Sequence, residues 1–137
     1  MLNRNKKRII DMLEDTVQLQ NNRKIGIIGY GVVGKAIDNT LKSEFEMVIF
    51  DKYAQYDAFN DLKMCGFVFI SVPTPFDCDK NQVDDSAILE SLDSLSKLNY
   101  QGVVIIKSTV PPGSCDRYIS EYGLNIVFNP EFLREST

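Results

Sequence analysis

The segment from residue 24 to residue 34 most constrains the fold, because an apolar run leads directly into three regularly spaced glycines. Residues 24–29 (K-I-G-I-I-G) are typical of a buried strand, and the next residues complete the pattern G-x-G-x-x-G before a helical segment. The first glycine permits a tight turn, the second lets a phosphate approach the backbone, and the third lets the helix pack against the strand. The helix N-terminus then favours an anion. The residues predicted to hold a dinucleotide are Gly29, Tyr30, Gly31, Val32, Val33 and Gly34.

Apolar strands alternate with helical segments along the rest of the chain. The predicted strands are residues 24–29, 47–50, 67–71, 103–106 and 125–128. These runs lack an alternating polar pattern, which is typical of a parallel sheet that helices cover on both faces. With right-handed crossovers, the sequence predicts a Rossmann-like, doubly wound α/β sheet of about five strands. In the first helix, at residues 32–43, the stripe expected to be buried is Val33, Ala36, Ile37 and Leu41.

The domain organisation follows from the same pattern. Residues 1–22 are predicted to form an N-terminal extension with an amphipathic helix, and residues 23–137 a single Rossmann domain. The apolar face of that helix is expected to pack on the domain or on a second subunit, which leaves a homodimer open.

The composition excludes several classes of site. The chain has no histidine, which excludes histidine-based triads, general bases and metal ligands within it, and no metal site is predicted. The net charge is −4, and the four bases of residues 1–8 leave −8 on the remainder, which argues against a nucleic-acid surface. Three cysteines without C-x-x-C spacing, no signal peptide and no membrane-length apolar run predict free thiols in the cytoplasm.

Asp51 ends the second predicted strand and lies 20 residues beyond Gly31. At that distance a carboxylate is placed to accept hydrogen bonds from the adenine ribose hydroxyls. Its charge would repel a 2′-phosphate, which favours NAD over NADP, although the adjacent Lys52 weakens that inference. The alternative is a surface aspartate that merely ends a strand.

Other polar residues also follow predicted strands, at the edge where a ligand lies in such a sheet. Thr109, after the fourth strand, could bond the nicotinamide ribose or position a water, and it could equally be a helix cap. Glu131 and Glu135 are four residues apart and share a face if they lie on a helical turn, although spacing alone favours solvent exposure. The further cofactor candidates at these strand ends are Val72, Pro73, Thr74 and Ser108.

Four segments occur in a distinctive order: residues 29–34 (G-Y-G-V-V-G), 71–75 (S-V-P-T-P), 107–114 (K-S-T-V-P-P-G-S) and 129–135 (N-P-E-F-L-R-E). Together they resemble the N-terminal domain of the UDP-glucose/GDP-mannose dehydrogenase family, with the last segment the most specific. The resemblance covers residues 24–137. It implies an oxidoreductase that converts the C6 alcohol of a nucleotide sugar to a carboxylate with two NAD, through a cysteine that lies in a later domain.

The resemblance also implies roles for residues that match the family's motifs. Glu131 matches the glutamate of the hydrolysis step, Thr109 lies on the nicotinamide side, and Glu135 matches a position close to both cofactor and substrate. The positions that match backbone along the sugar nucleotide are Phe132, Leu133 and Arg134. With these roles, Glu131 and Thr109 are the catalytic candidates, and residues 131–135 are the candidates for contact with a UDP-sugar.

Two departures from the family pattern affect the expectation. The stretch between Asp51 and Val72 is short, which predicts the loss of a strand and a more open adenine side. The chain also stops at Thr137, inside the substrate segment, so we expect an excised or truncated cofactor domain that binds NAD without completing the oxidation. The alternatives are a stand-alone NAD-binding regulatory or assembly module, and another two-domain NAD-dependent hydroxyacid dehydrogenase.

Overall fold

The strands form where the sequence has short runs of β-branched and aromatic residues. The computed structural model describes residues 7, 10, 11 and 22–130. Its strands, in chain order, are β1 (Lys24–Ile28), β2 (Glu46–Phe50), β3 (Phe67–Ile70), β4 (Phe76–Asp77), β5 (Gln82–Val83), β6 (Val103–Ile106) and β7 (Asn125–Phe128). Five of them form one sheet, whereas β4 and β5 form a separate antiparallel ribbon.

Helices connect the strands of the main sheet and cover its faces. They are α1 (Val32–Leu41), a 3-10 helix (Phe59–Met64), α2 (Ser86–Lys97) and α3 (Ser114–Tyr122). Helix α3 ends at Gly123, whose φ of +64° is the left-handed conformation that glycine adopts most easily at a helix C-terminus. The buried face of α2 carries Ile88, Leu92 and Leu95, and these belong to one core with the buried side chains of β3 and β6.

The order of strands across the sheet is β2-β1-β3-β6-β7, with every neighbouring pair parallel. From β1 the chain moves to one side to form β2 and then crosses to the other side of β1 to form β3. This reversal opens a crevice between the carboxyl ends of β1 and β3, which is where doubly wound sheets bind ligands. The predicted fold class is confirmed, with five parallel strands.

The structure corrects the predicted buried face of the first helix. Ala36 is exposed, and the residues of α1 that are buried are Gly34 and Asp38. The carboxylate of Asp38 faces inward because it accepts a hydrogen bond of 2.5 Å from the Tyr30 hydroxyl. The prediction was wrong at this helix because it counted only apolar side chains as candidates for burial, whereas Asp38 is charged. The β4–β5 ribbon was also missed, since each of its strands has only two residues.

Two predicted segments lie mainly outside the described residues. Of the predicted N-terminal helix, only Lys7, Ile10 and Asp11 are described, and these three are helical. Residues 131–137, which include the two glutamates and their neighbours, are likewise outside. The division of the chain at residue 22 therefore stays a prediction. Within the described part, no helix is both long enough and apolar enough to cross a membrane.

Candidate functional site

The turn after β1 requires glycine at its first position. Gly29 has a φ of +91°, and a Cβ atom built on it would lie 2.6 Å from the carbonyl oxygen of Ser71. Ser71, which follows β3, donates a hydrogen bond of 2.8 Å from its hydroxyl to the Gly29 carbonyl. The ends of β1 and β3 therefore meet closely at the switch point, and the chain leaves the sheet there toward α1.

The other two glycines of the motif have opposite surroundings. A Cβ on Gly34 would lie 2.2 Å from the Gly29 carbonyl oxygen, so α1 packs against the turn too closely for any side chain at this position. A Cβ on Gly31 would meet no described atom within 4 Å, which leaves open space beside the backbone.

The first turn of α1 borders this open space. Its first helical hydrogen bond runs from the Lys35 N–H to the Gly31 carbonyl, so the three N–H groups before Lys35 lie at the free end of the helix. Among the described residues, no side chain caps this end. An open cradle with unpaired N–H donors fits a pyrophosphate.

Asp51 is held by the backbone on both of its carboxylate oxygens. The Tyr30 N–H donates to Oδ2 at 2.8 Å, and the Tyr53 N–H donates to Oδ1 at 2.9 Å. These bonds fix the carboxylate at the end of β2, beside the glycine turn. Each oxygen retains a lone pair, so the group can still accept hydrogen bonds from a ribose diol.

A cleft of about 410 Å³ opens between these strand ends and α2. Its apolar wall includes Phe50, Phe59 and Val72, and the two phenyl rings meet edge to face with centroids 5.0 Å apart. Its polar side carries Asp51 and residues of α2. The lining residues that α2 contributes are Ala87, Glu90, Ser91 and Ser94. A mainly apolar cleft with a carboxylate at its edge has the chemistry that an adenosine needs.

One ion pair crosses the rim of the cleft. The Lys52 ammonium donates to both carboxylate oxygens of Glu90, at 2.8 and 3.0 Å. The hydrogen bond and the charge of Glu90 raise the pKa of Lys52 above its usual value. Both side chains are more than half exposed. The pair joins the end of β2 to α2 across the cleft.

The loops after β3 and β6 are tied together by two hydroxyl groups. The buried Ser108 donates to the Val72 carbonyl at 2.6 Å, and Thr74 donates to the Thr109 carbonyl at 2.8 Å. Ser108 and Thr74 therefore hold the loop that carries Val72 and Pro73 to the cleft. Thr109 itself is exposed beside this loop.

The side chain of Tyr30 anchors the glycine turn to α1. Its hydroxyl donates to Asp38, and this bond with the neighbouring negative charge raises the pKa of Tyr30 to about 12. The ring of Tyr56 meets it edge to face at 4.9 Å, and the Lys35 ammonium lies 5.9 Å from the Tyr30 ring centre. Through its backbone and its hydroxyl, Tyr30 thus contacts both Asp51 and α1.

The structure brings together only some of the residues predicted from the sequence. Gly29, Asp51, Val72 and Pro73 line the cleft, and the rest of the glycine motif continues from Gly29 into α1. Residues 131–135 lie outside the described part. The residues that the sequence reasoning missed are Ile28, Phe50, Lys52, Tyr53, Phe59, Ala87, Glu90, Ser91 and Ser94. For Phe50, Lys52 and Tyr53, adjacency to Asp51 was an available signal, whereas α2 carried none.

Residues 9–137 match the sequence model of the UDP-glucose/GDP-mannose dehydrogenase family, NAD binding domain. The chain belongs to this family. The resemblance seen in the four segments is thereby confirmed, and so is NAD as the cofactor of this domain. The open cradle at Gly31 and the fixed carboxylate of Asp51 fit that cofactor.

Relatives in this family are similar over most of the chain. It is 30% identical over 130 residues to a UDP-glucose 6-dehydrogenase of Streptococcus pneumoniae, covering 94% of this chain and 31% of the relative. It is 32% identical over 136 residues to the UDP-glucose 6-dehydrogenase of Campylobacter jejuni, covering 98% and 32%. The chain therefore spans about a third of the length of these relatives.

A solved structure shares the fold. A UDP-glucose dehydrogenase from the archaeon Pyrobaculum islandicum superposes with a TM-score of 0.63 at 21% identity. The match covers 82% of this chain and 37% of that one. At this identity, the likeness supports the arrangement of strands and helices.

Proposed function

We propose that this chain supplies the cofactor-binding part of a UDP-glucose 6-dehydrogenase-like oxidoreductase. The reaction is the oxidation of the C6 alcohol of a UDP-sugar to a carboxylate with two NAD. The observation that carries the proposal is the convergence of the glycine cradle, the fixed Asp51 carboxylate and the mainly apolar cleft at one switch point. The names of the similar dehydrogenases support the choice of substrate class.

In this proposal the chain's residues bind and orient the cofactor. The backbone of residues 29–34 holds the pyrophosphate, Asp51 accepts hydrogen bonds from the adenine ribose, and the part of the cleft beside Phe50 and Val72 holds the adenine. NAD, when bound, supplies the acceptor for the hydride that leaves the alcohol carbon. Thr109 lies on the nicotinamide side. The residues assigned to the substrate side are Glu131, Phe132, Leu133, Arg134 and Glu135, with Glu131 in the hydrolysis step.

As this chain alone, the protein is expected to bind NAD without oxidising the sugar. The reaction requires a sugar held against the nicotinamide and a nucleophilic thiol. All three cysteines are described, and none lines the cleft. Burial raises the pKa of Cys65 to about 11, which suits a core side chain better than a nucleophile. The three free thiols also support a reducing compartment such as the cytoplasm.

Isothermal titration of the chain with NAD tests the proposal. We expect micromolar-to-millimolar binding to the wild type and at least a thirtyfold loss in Gly31→Val, because the new side chain fills the space of the pyrophosphate. Gly31 has a negative φ of −86°, and a Cβ added there meets no described atom within 4 Å, so the urea midpoint should stay close to that of the wild type.

Thr40→Val is the matched control for this experiment. It places a valine on the exposed face of the same helix, roughly 13 Å along the axis from Gly31. NAD affinity should be unchanged in this variant. A wild-type chain that binds no NAD at millimolar concentration, or a Gly31→Val variant that binds as the wild type does, contradicts the proposal.

A further inference from the structure

The ion pair between Lys52 and Glu90 lies at the end of the cleft where the adenine ribose of the proposed cofactor would bind. The 2′ position of this ribose carries a phosphate in NADP and a hydroxyl in NAD. Lys52 directly follows Asp51, the residue placed to bind the adenine ribose, and Glu90 faces it from α2 across the cleft. Of the residues that line the cleft in the described part of the chain, these three are the charged ones. Their formal charges sum to −1.

A lysine next to the ribose-binding carboxylate is a natural partner for a 2′-phosphate. Such a phosphate would add roughly two negative charges at this end of the cleft. The Lys52 ammonium, on its flexible side chain, can reach it. In this structure, however, both close hydrogen bonds of the ammonium go to the carboxylate of Glu90. Glu90 therefore already pairs with the ammonium that a 2′-phosphate would need as its partner.

We propose that Glu90 is a specificity-determining residue that selects NAD over NADP by keeping Lys52 in an ion pair across the cleft. This inference rests on the proposed function, since it concerns the cofactor site of that function. Asp51 repels the 2′-phosphate directly, whereas Glu90 acts through Lys52 and through its own charge. Discrimination against NADP is then a property of β2 and α2 together.

Titrations of NAD and NADP into the wild type and Glu90→Gln test the inference. The variant removes one negative charge and releases the Lys52 ammonium, while the side chain keeps its size. We expect the ratio of NADP affinity to NAD affinity to rise at least tenfold. The gain for NADP should shrink as salt is raised from 50 to 500 mM, because the new attraction is between exposed charges.

Two further variants show whether the gain passes through Lys52. Asp93→Asn is the matched control, because Asp93 forms a comparable exposed ion pair with Lys97 on the same helix at 2.7 Å, away from the cleft. It should leave the ratio of the two affinities unchanged. The double variant Glu90→Gln with Lys52→Gln should lose most of the NADP gain.

The outcomes separate this inference from the proposed function. If the wild type binds NAD but Glu90→Gln leaves the ratio of NADP to NAD affinity unchanged, Glu90 does not set specificity, and the proposed function stands. A gain of equal size in Asp93→Asn also overturns the inference, since overall charge would then explain it. If neither nucleotide binds to the wild type, the proposed function fails and the inference fails with it.

Discussion

Gly31 and Gly34 are three residues apart in one motif, yet an added methyl group would meet opposite surroundings at the two positions. At Gly34 it would lie 2.2 Å from a backbone carbonyl oxygen, and at Gly31 it would meet nothing within 4 Å. Gly34 is therefore required by the fold, whereas the open space at Gly31 suits the proposed pyrophosphate. At the scale of single residues, one motif contains two separable constraints.

Alanine at each position should separate these constraints. Gly34→Ala is expected to lower the free energy of unfolding by about 2 kcal/mol or more, because backbone must move to accept the methyl group. Gly31→Ala should change it by less than about 0.5 kcal/mol. Urea unfolding followed by circular dichroism measures both values. Equal losses in the two variants would contradict the assignment of the open space.

The candidate site residues that the sequence could predict are those at a characteristic spacing along the chain. The glycine motif and Asp51 were accessible because the turn and the next strand end have nearly fixed spacing in this fold. The pairing of Lys52 with Glu90 was not accessible, since it depends on where α2 packs. Glu90 lies on the polar face of an amphipathic helix, and nothing in the sequence distinguishes it from the other polar residues of that face.

At the scale of elements, one buried tyrosine joins two helices. The hydroxyl of Tyr118, on α3, donates a hydrogen bond of 2.5 Å to Asp85, the residue that precedes α2. Arg117 reaches the same carboxylate oxygen at 2.7 Å. Because α2 forms one side of the cleft, this contact helps to position that side of the cleft. The side chain of Tyr118 is fully buried, so its hydroxyl has few alternative partners.

A double-mutant cycle between Tyr118 and Asp85 should measure this contact. With Tyr118→Phe and Asp85→Ala, each of which removes one partner, we expect a coupling free energy of about 1–2 kcal/mol, as for a hydrogen bond to a charged group. Tyr122→Phe is the control on the same helix, because its hydroxyl makes no hydrogen bond to the described residues. It should cost less than about 0.5 kcal/mol. A coupling near zero would show that the two side chains act independently.

At the scale of the whole molecule, folding alters how tightly several groups hold their protons. Burial raises the pKa of the Cys65 thiol to about 11 from an ordinary 9.0. Burial and the bond to Asp85 raise the pKa of Tyr118 to about 12 from 10.0, and burial also raises the pKa of Tyr100. The folded chain therefore retains protons that the unfolded chain releases between pH 9 and 12.

This difference gives a signed pH dependence. The stabilisation is complete below the unfolded pKa values and is lost as the pH rises through the folded ones, so the free energy of unfolding should fall steadily above pH 9. Urea midpoints at half-unit steps from pH 7.5 to 11 measure the trend. Burial also raises the pKa of Cys115. Cys65→Ala should therefore make the fall between about pH 9 and pH 10 shallower, and the fall above about pH 10, where tyrosines begin to ionise in the unfolded chain, should remain. An unchanged slope between about pH 9 and pH 10 would exclude the Cys65 thiol as a contributor.

The strand order has a consequence for how the molecule assembles. Every pairing in the main sheet joins distant positions, from Lys24 with Glu46 to Ile25 with Phe67 and Phe67 with Val103. Each requires the closure of a long loop before any contact compensates for it, which is typical of folding in milliseconds to seconds. The cleft needs β1, β2, β3 and α2 in place at once. During refolding, the capacity to bind a nucleotide is thus acquired late, together with the slowest cooperative step, and no isolated βα fragment of this chain would have it.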